Sequence, residues 1–159
     1  MVELSLVGVR VELPSNQPIV LLKETDGERY LPIWIGAVEA TAIAFALQGI
    51  QTPRPMTHDL LRDILTTTDV TVERILISEL VDQTFFATIR MSQDGRAMEV
   101  SSRPSDAIAL AVRINAPIYG AEEVLEQAGI ELKDDEETEV EKFREFLDQV
   151  SPEDFAAGQ

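Results

Sequence analysis

The 159-residue chain carries 29 acidic and 13 basic side chains, a formal charge of −16, with 45% hydrophobic residues and no cysteine. That length and hydrophobic content suit one domain with a substantial core, and the missing thiols exclude disulfides and thiolate metal sites. Affinity for nucleic acid rests on cations that neutralise phosphates, so this acidity excludes broad, unaided binding to a polyanion and confines any such role to a local basic patch or to bound cations.

The charge is unevenly spread. Residues 1–130 hold 18 acidic and 10 basic side chains, and residues 131–159 hold 11 and 3, so the short second stretch matches the long first one at −8. We read a domain over 1–130 and an acidic, partly helical tail over 131–159. In the tail, Asp134-Asp-Glu-Glu-Thr-Glu139 is a solvated run, and Val140, Phe143, Leu147 and Val150 recur at helical spacing. That spacing predicts a helix that docks on the domain or on a protein partner. Glu3, Arg10 and Glu12 interrupt the start in a way a signal peptide does not allow. The longest mostly apolar run, Leu31 to Leu47, contains Pro32 and Glu39 and falls short of a membrane span. The expectation is a cytoplasmic protein without membrane contact.

Val2 to Leu13 is rich in Val and Leu and predicts a strand, broken at Pro14-Ser-Asn16. Ile19–Leu22 and Tyr30–Ile35 flank Asp26-Gly27, a hairpin signal, with Pro32 confined to an edge or bulge. Gly36 opens a helix over Ala37–Leu47 that Gly49 closes. After the stiff loop Gln51-Thr-Pro-Arg-Pro55, Thr57 is the expected N-cap of a helix whose Leu60, Leu61, Ile64 and Leu65 form one apolar stripe. Val70–Leu80 reads as a strand, and Thr84–Met91 and Ala97–Ser101 flank a second turn at Asp94-Gly95. Pro104 then opens a helix that is apolar nearly all round from Ala107 to Val112, and so belongs under other elements. Pro117-Ile-Tyr119 is a short extended piece, followed by a small helix over Ala121–Gln127 that stops before Gly129.

Hairpin, Asp-Gly turn and Ala-rich helix thus occur twice, at 17–47 and 83–113. The predicted fold is α+β: duplicated hairpin–helix (ββα) units forming a mixed or antiparallel sheet packed with Ala-rich helices, plus the C-terminal acidic helix. Aligning Ala42–Leu47 with Ala107–Val112 sets Asp106 opposite Thr41, which makes Glu39 and Asp106 non-equivalent.

No Walker loop, dinucleotide glycine pattern, nucleophile elbow or zinc spacing is present. His58, the only histidine, is a candidate general acid or base, or a metal ligand with Asp59. Thr57-His58-Asp59 also reads as an ordinary capped helix start. Asp106 and Glu39 are lone carboxylates at the starts of apolar helices, suited either to the helix dipole or to holding Mg²⁺ for phosphodiester cleavage. Arg54 and Arg103, each beside a proline, would present a guanidinium to phosphate or pair with Asp59 and Asp106. Trp34 reads as core or interface packing in preference to a base-stacking platform.

The blocks Leu31-Pro-Ile-Trp-Ile-Gly36 with Glu39-Ala40, Arg54-Pro-Met-Thr-His-Asp-Leu-Leu61, Thr84-Phe-Phe-Ala87 and Arg103-Pro-Ser-Asp-Ala-Ile-Ala-Leu-Ala111 occur in order. Through them the chain resembles the bifunctional nuclease family over about residues 1–130. The resemblance implies cleavage of RNA and DNA by an α+β domain that forms homodimers. The polar positions in the matching blocks are Glu39, Arg54, His58, Asp59, Arg103, Ser105 and Asp106. Larger members carry an added UvrB/UvrC-type motif, which the tail does not match.

Two functions are therefore expected. One is a metal-assisted nuclease in which Asp59 and Asp106, with Glu39 as a further ligand candidate, hold a divalent cation such as Mg²⁺. In it His58 moves a proton, and Arg54, Arg103 and Ser105 bind substrate phosphate. No organic cofactor is expected. The other is a non-enzymatic dimeric binding or regulatory module that uses the acidic tail for partner contact.

Overall fold

The structure is a computed structural model that describes residues 1–12 and 16–132. The helical tail expected over 131–159 lies almost wholly outside the described residues. Three strands, β1 (Val2–Glu12), β2 (Gln17–Glu24) and β3 (Arg29–Trp34), lead into helix α1 (Ala37–Leu47). Helix α2 (Thr57–Thr67) connects to a second set, β4 (Thr71–Val81), β5 (Thr84–Gln93) and β6 (Arg96–Ser102), which leads into α3 (Pro104–Ile114). Strand β7 (Ile118–Gly120), helix α4 (Glu122–Ala128) and strand β8 (Ile130–Glu131) follow.

All eight strands form one mixed sheet in the order β6-β5-β4-β7-β1-β2-β3-β8. β7 is the seam between the two three-stranded sets, antiparallel to β1 and parallel to β4. The repeated unit is therefore one strand longer than the hairpin–helix read from the sequence: each copy is three antiparallel strands and a helix. The copies lie on either side of β7.

Local chemistry accounts for most of the joints. Asp94 and Gly95 both have positive φ, at 50° and 78°, as a two-residue turn matched to strand twist requires. Pro32 is opposite Leu21 of β2, while β8 pairs only with Arg29 and Tyr30. Its missing N–H therefore faces an open edge. The register of β1 shifts between Leu6 and Gly8, which switches the parity of the strand. Leu4 and Leu6 before the shift and Val9 after it face the main core, and Val7 joins Leu21 and Tyr30 in a second cluster.

The main core lies between the sheet and the helices. Val9, Val20, Leu22, Leu31, Ile75 and Ile77 belong to it, together with Ile43 of α1 and Ile108 and Leu110 of α3. Every residue from Pro104 to Ala111 except Asp106 is buried, the placement expected of a helix with alanine on several faces. Alanine leaves no long side chain between α1 and α3, so the two helices pack directly.

The sequence reading of α2 needs two corrections. The cap position is Met56, and Thr57 is the first helical residue. The Met56 N–H donates to Asp59 Oδ2 at 3.0 Å, so the acid in the first turn supplies the cap and the Thr57 hydroxyl does not. The apolar stripe is also split. Leu61 and Leu65 pack on the core, while Leu60 and Ile64, one position back around the helix, are exposed.

Because Ala109 is fully buried between these layers, Ala109→Leu should cost about 1–3 kcal/mol by overpacking. A lower urea midpoint with an unchanged slope is the expected reading.

Candidate functional site

Glu39, Asp59 and Asp106 share one structural position. Each is the third residue of its helix, α1, α2 and α3 in turn, where a carboxylate meets the positive end of the helix dipole. Counted from helix starts, Glu39 and Asp106 are therefore equivalent, contrary to the alignment that set Asp106 opposite Thr41. Their surroundings separate them into two groups.

In the first group, Asp106 receives both an imidazole and a guanidinium. His58 Nε2 lies 2.9 Å from Asp106 Oδ1, and Arg103 Nε donates to Asp106 Oδ2 at 2.9 Å. The other arm of Arg103 donates to Glu39 Oε1 at 2.6 Å. Residues 48 positions apart, on α2 and α3, thus meet directly, and Arg103 adds α1. In the neutral ring this contact fixes the proton on Nε2 and leaves Nδ1 as the basic nitrogen. His58 is 6% exposed, whereas the side chains of Asp106 and Arg103 are 33% and 64% exposed. The carboxylate and the guanidinium are the solvent-facing members, and the ring stands behind them.

Burial alone would raise the Asp106 carboxyl. The hydrogen bonds from His58 and Arg103, with their charges, outweigh it and hold the group below the ordinary aspartate value. Arg103 is raised in turn, first by its hydrogen bond to Asp106 and then by that to Glu39.

In the second group, Asp59 faces away from His58. Arg113 Nε donates to Asp59 Oδ1 at 2.7 Å. The remaining arms of Arg113 donate to the carbonyls of Ala109 at 2.7 Å and Ala42 at 3.0 Å. Burial raises the Asp59 carboxyl, but the hydrogen bonds from Arg113 and the Met56 N–H, with the Arg113 charge, pull it lower. Arg113 is 5% exposed and ties α1, α2 and α3 together through these three hydrogen bonds. The pair lines an open pocket of about 480 Å³ beneath the 49–55 loop. Sequence reasoning missed Arg113. Its signal was a lone arginine after six uninterrupted apolar residues, seven positions from Asp106 and so on the same helical face.

Of the other expected residues, Ser105 is buried and joins Arg103 in lining a separate cleft of about 380 Å³. Arg54 is exposed in the proline loop, with no side-chain partner among the described residues. The structure thus brings together His58, Asp106, Arg103 and Glu39, with Ser105 adjoining, and leaves Asp59 and Arg54 apart from them. Trp34, read as packing, lies half exposed at 50% on the rim of that same cleft.

Among the described residues no three His, Asp or Glu side chains form a metal-binding group. The donors nearest that role are the oxygens of Asp106 and Glu39, which Arg103 bridges. Hard carboxylate oxygens suit Mg²⁺, which commonly takes one or two of them and completes its shell with water and substrate phosphate.

Residues 20–133 match the bifunctional nuclease domain. An uncharacterized protein of Mycobacterium tuberculosis is 48% identical over 98% of both chains. A protein named bifunctional nuclease 1 in Arabidopsis thaliana is 30% identical over 65% of this chain and 33% of its own length. Bifunctional nuclease 2 of the same plant is 30% identical over 67% of this chain and 34% of its own. The matched domain, residues 20–133, contains the three helices that build both groups.

Two measurements check this geometry. The native Asp59 and Asp106 carboxyls stay ionised below the ordinary value of about 3.9, so the unfolded chain protonates first. Their stabilisation is fully present above that pH and is lost as pH falls through the lower native values. In urea melts between pH 5 and 2, Asp106→Asn and Asp59→Asn should each show a shallower acid loss than the wild type. Separately, Arg113→Met leaves Asp59 without its buried partner and should cost about 3 kcal/mol in the same melts at pH 7.

Proposed function

This chain belongs to the bifunctional nuclease domain family, and on that premise we propose that it hydrolyses phosphodiester bonds of RNA and DNA at the Asp106 cluster. The observation that carries the reading is the meeting of Arg103, Asp106, Glu39 and His58 from three helices at an exposed position.

Arg103 turns from its carboxylates to a non-bridging phosphate oxygen, where its planar fork matches the anion. Loss of that partner raises the Asp106 carboxyl, since the guanidinium is one of the groups that hold it down. Substrate arrival therefore makes Asp106 a stronger base at the moment a base is required. Asp106 then takes a proton from an attacking water. The water oxygen bonds to phosphorus, the bond from phosphorus to the leaving sugar oxygen breaks, and the proton is delivered to that oxygen. His58 orients Asp106 through Nε2 and stabilises its carboxylate before the first transfer and after the second.

Glu39 would hold Mg²⁺ once Arg103 has moved, leaving Asp106 as the base, and the cation would supply electrophilic stabilisation of the phosphoryl oxygens. Asp59 supports the site through Arg113 and Met56. Arg54 offers a further cation to the phosphate backbone beside the site. The chain works as a homodimer in the cytoplasm, and the acidic tail keeps it from binding nucleic acid indiscriminately.

A second reading has one specific observation behind it: both Asp106 oxygens already have partners within the chain. A purely structural clasp serving a non-enzymatic binding module would look the same. The two readings part in an assay of purified wild type and Asp106→Asn on single-stranded RNA and DNA, with and without Mg²⁺. Asp106→Asn keeps the shape of the side chain and should lower the cleavage rate at least about hundredfold, while remaining folded by circular dichroism. Equal background rates in both proteins would leave the clasp as the correct reading.

A further inference from the structure

The cleft beside the Asp106 cluster is lined by Trp34 and Phe85, by the amides Gln17 and Gln83, and by Arg103 and Ser105. Strand alternation explains the tryptophan. Ile33 and Ile35 point into the core, so Trp34 between them points out. The chain turns at Asp82 and Gln83, both with positive φ, 50° and 64°. Two non-glycine residues in the left-handed region are uncommon, and this turn brings Gln83 to the cleft wall.

We propose that this cleft, which adjoins the Asp106 cluster through Arg103 and Ser105, takes an unpaired nucleobase of a single-stranded nucleic acid, stacked on Trp34. The inference rests on the nuclease reading of that cluster and names the form of substrate it accepts.

Electrostatics supply the argument for stacking. Among the described residues Arg29, Arg62, Arg90, Arg103 and Arg113 are all engaged with carboxylates of this chain. A protein of net charge −16 with these five arginines so occupied has few cations left for the phosphate backbone, so affinity for a strand needs a contribution besides charge. Stacking on an aromatic face requires no charge and tolerates any base. A duplex buries its base faces against each other, so an indole on the cleft rim is open only to a base that has left the stack. The Gln83 amide, with donors and an acceptor, suits the polar edge of such a base. A second copy of this chain would instead favour an apolar rim, and this rim alternates aromatic and polar groups.

Trp34 is the only tryptophan of the chain, so its fluorescence reports this cleft alone. The probe is a phosphorothioate-linked octathymidylate, which resists hydrolysis, set against the same backbone with every base removed. The base-bearing strand should quench Trp34 saturably and the abasic strand should not. Trp34→Ala should weaken binding of the labelled octamer roughly tenfold or more by anisotropy, and Trp34→Phe should retain most of it. Equal response to both strands, or none, overturns the inference, and persisting cleavage in that case leaves the nuclease reading intact. Base-dependent quenching without cleavage by the wild type upholds the subsite and removes the nuclease reading. Emission that shifts with protein concentration and is indifferent to the octamer shows a second copy covering Trp34 and overturns the inference as well.

Discussion

The Asp106 carboxylate needs compensation where it stands, and much of the helix layer follows from that need. It interrupts a run of buried residues at the start of α3, where an unpaired charge would be costly. The helix end supplies a partial positive charge, and His58 and Arg103 supply the rest. His58 comes from α2, so the carboxylate fixes the start of that helix against α3. Arg103 continues to Glu39, so the same compensation reaches α1. The Arg113 contacts with Asp59, Ala109 and Ala42 repeat the three-helix connection one layer deeper. Two arginines thus hold together helices whose alanine-rich faces provide close approach with little interlocking.

Under the function we propose, that arrangement also lets a strongly acidic protein offer a site to an anion. Arg103 is satisfied by carboxylates in the resting state, yet its side chain remains well exposed. In that proposal a phosphate competes for a cation already in place, and the carboxylate it frees is the one required as a base. Selectivity follows from the same competition: an isolated phosphate gains little by displacing Asp106 and Glu39. A strand that also stacks a base on Trp34 gains more. The acidic surface would then disfavour nonspecific association, and the proposed subsite would favour a substrate that offers both a phosphate and an unpaired base.

Much of the fold was legible because its signals are local. The Asp26-Gly27 and Asp94-Gly95 turns, the Pro104 helix start and the apolar run of α3 each carry their meaning within a few residues. The two Asp-Gly turns and Ala-rich helices also mark the duplication, but β1 and β4, legible as strands, fall outside the repeated pattern because the shared turn signal lies one hairpin further on. The Asp82-Gln83 turn adopts a conformation usually marked by glycine or asparagine, and no glycine marks it. For the site, the residue types were legible and their pairing was not. Sequence offered Asp59 as the partner of His58 and as a co-ligand of Asp106 on one cation, whereas α2 turns adjacent residues about 100° apart and sends Asp59 to Arg113. Leu60 and Ile64 fit an apolar stripe by spacing, yet of the four only Leu61 and Leu65 pack on the core. Trp34 was read as packing because aromatic residues usually are, and only the alternation set by its buried neighbours turns it outward.

His58 is the single histidine, so its ring nitrogens give one isolated pair of nitrogen NMR signals at the centre of the site. The most direct measurement follows those signals while a dinucleoside phosphorothioate is titrated in. If phosphate takes Arg103 from Asp106, the His58 signals should move saturably, and the movement should vanish in Arg103→Met. Ring signals that stay fixed while the wild-type protein cleaves nucleic acid would locate the chemistry elsewhere in the molecule.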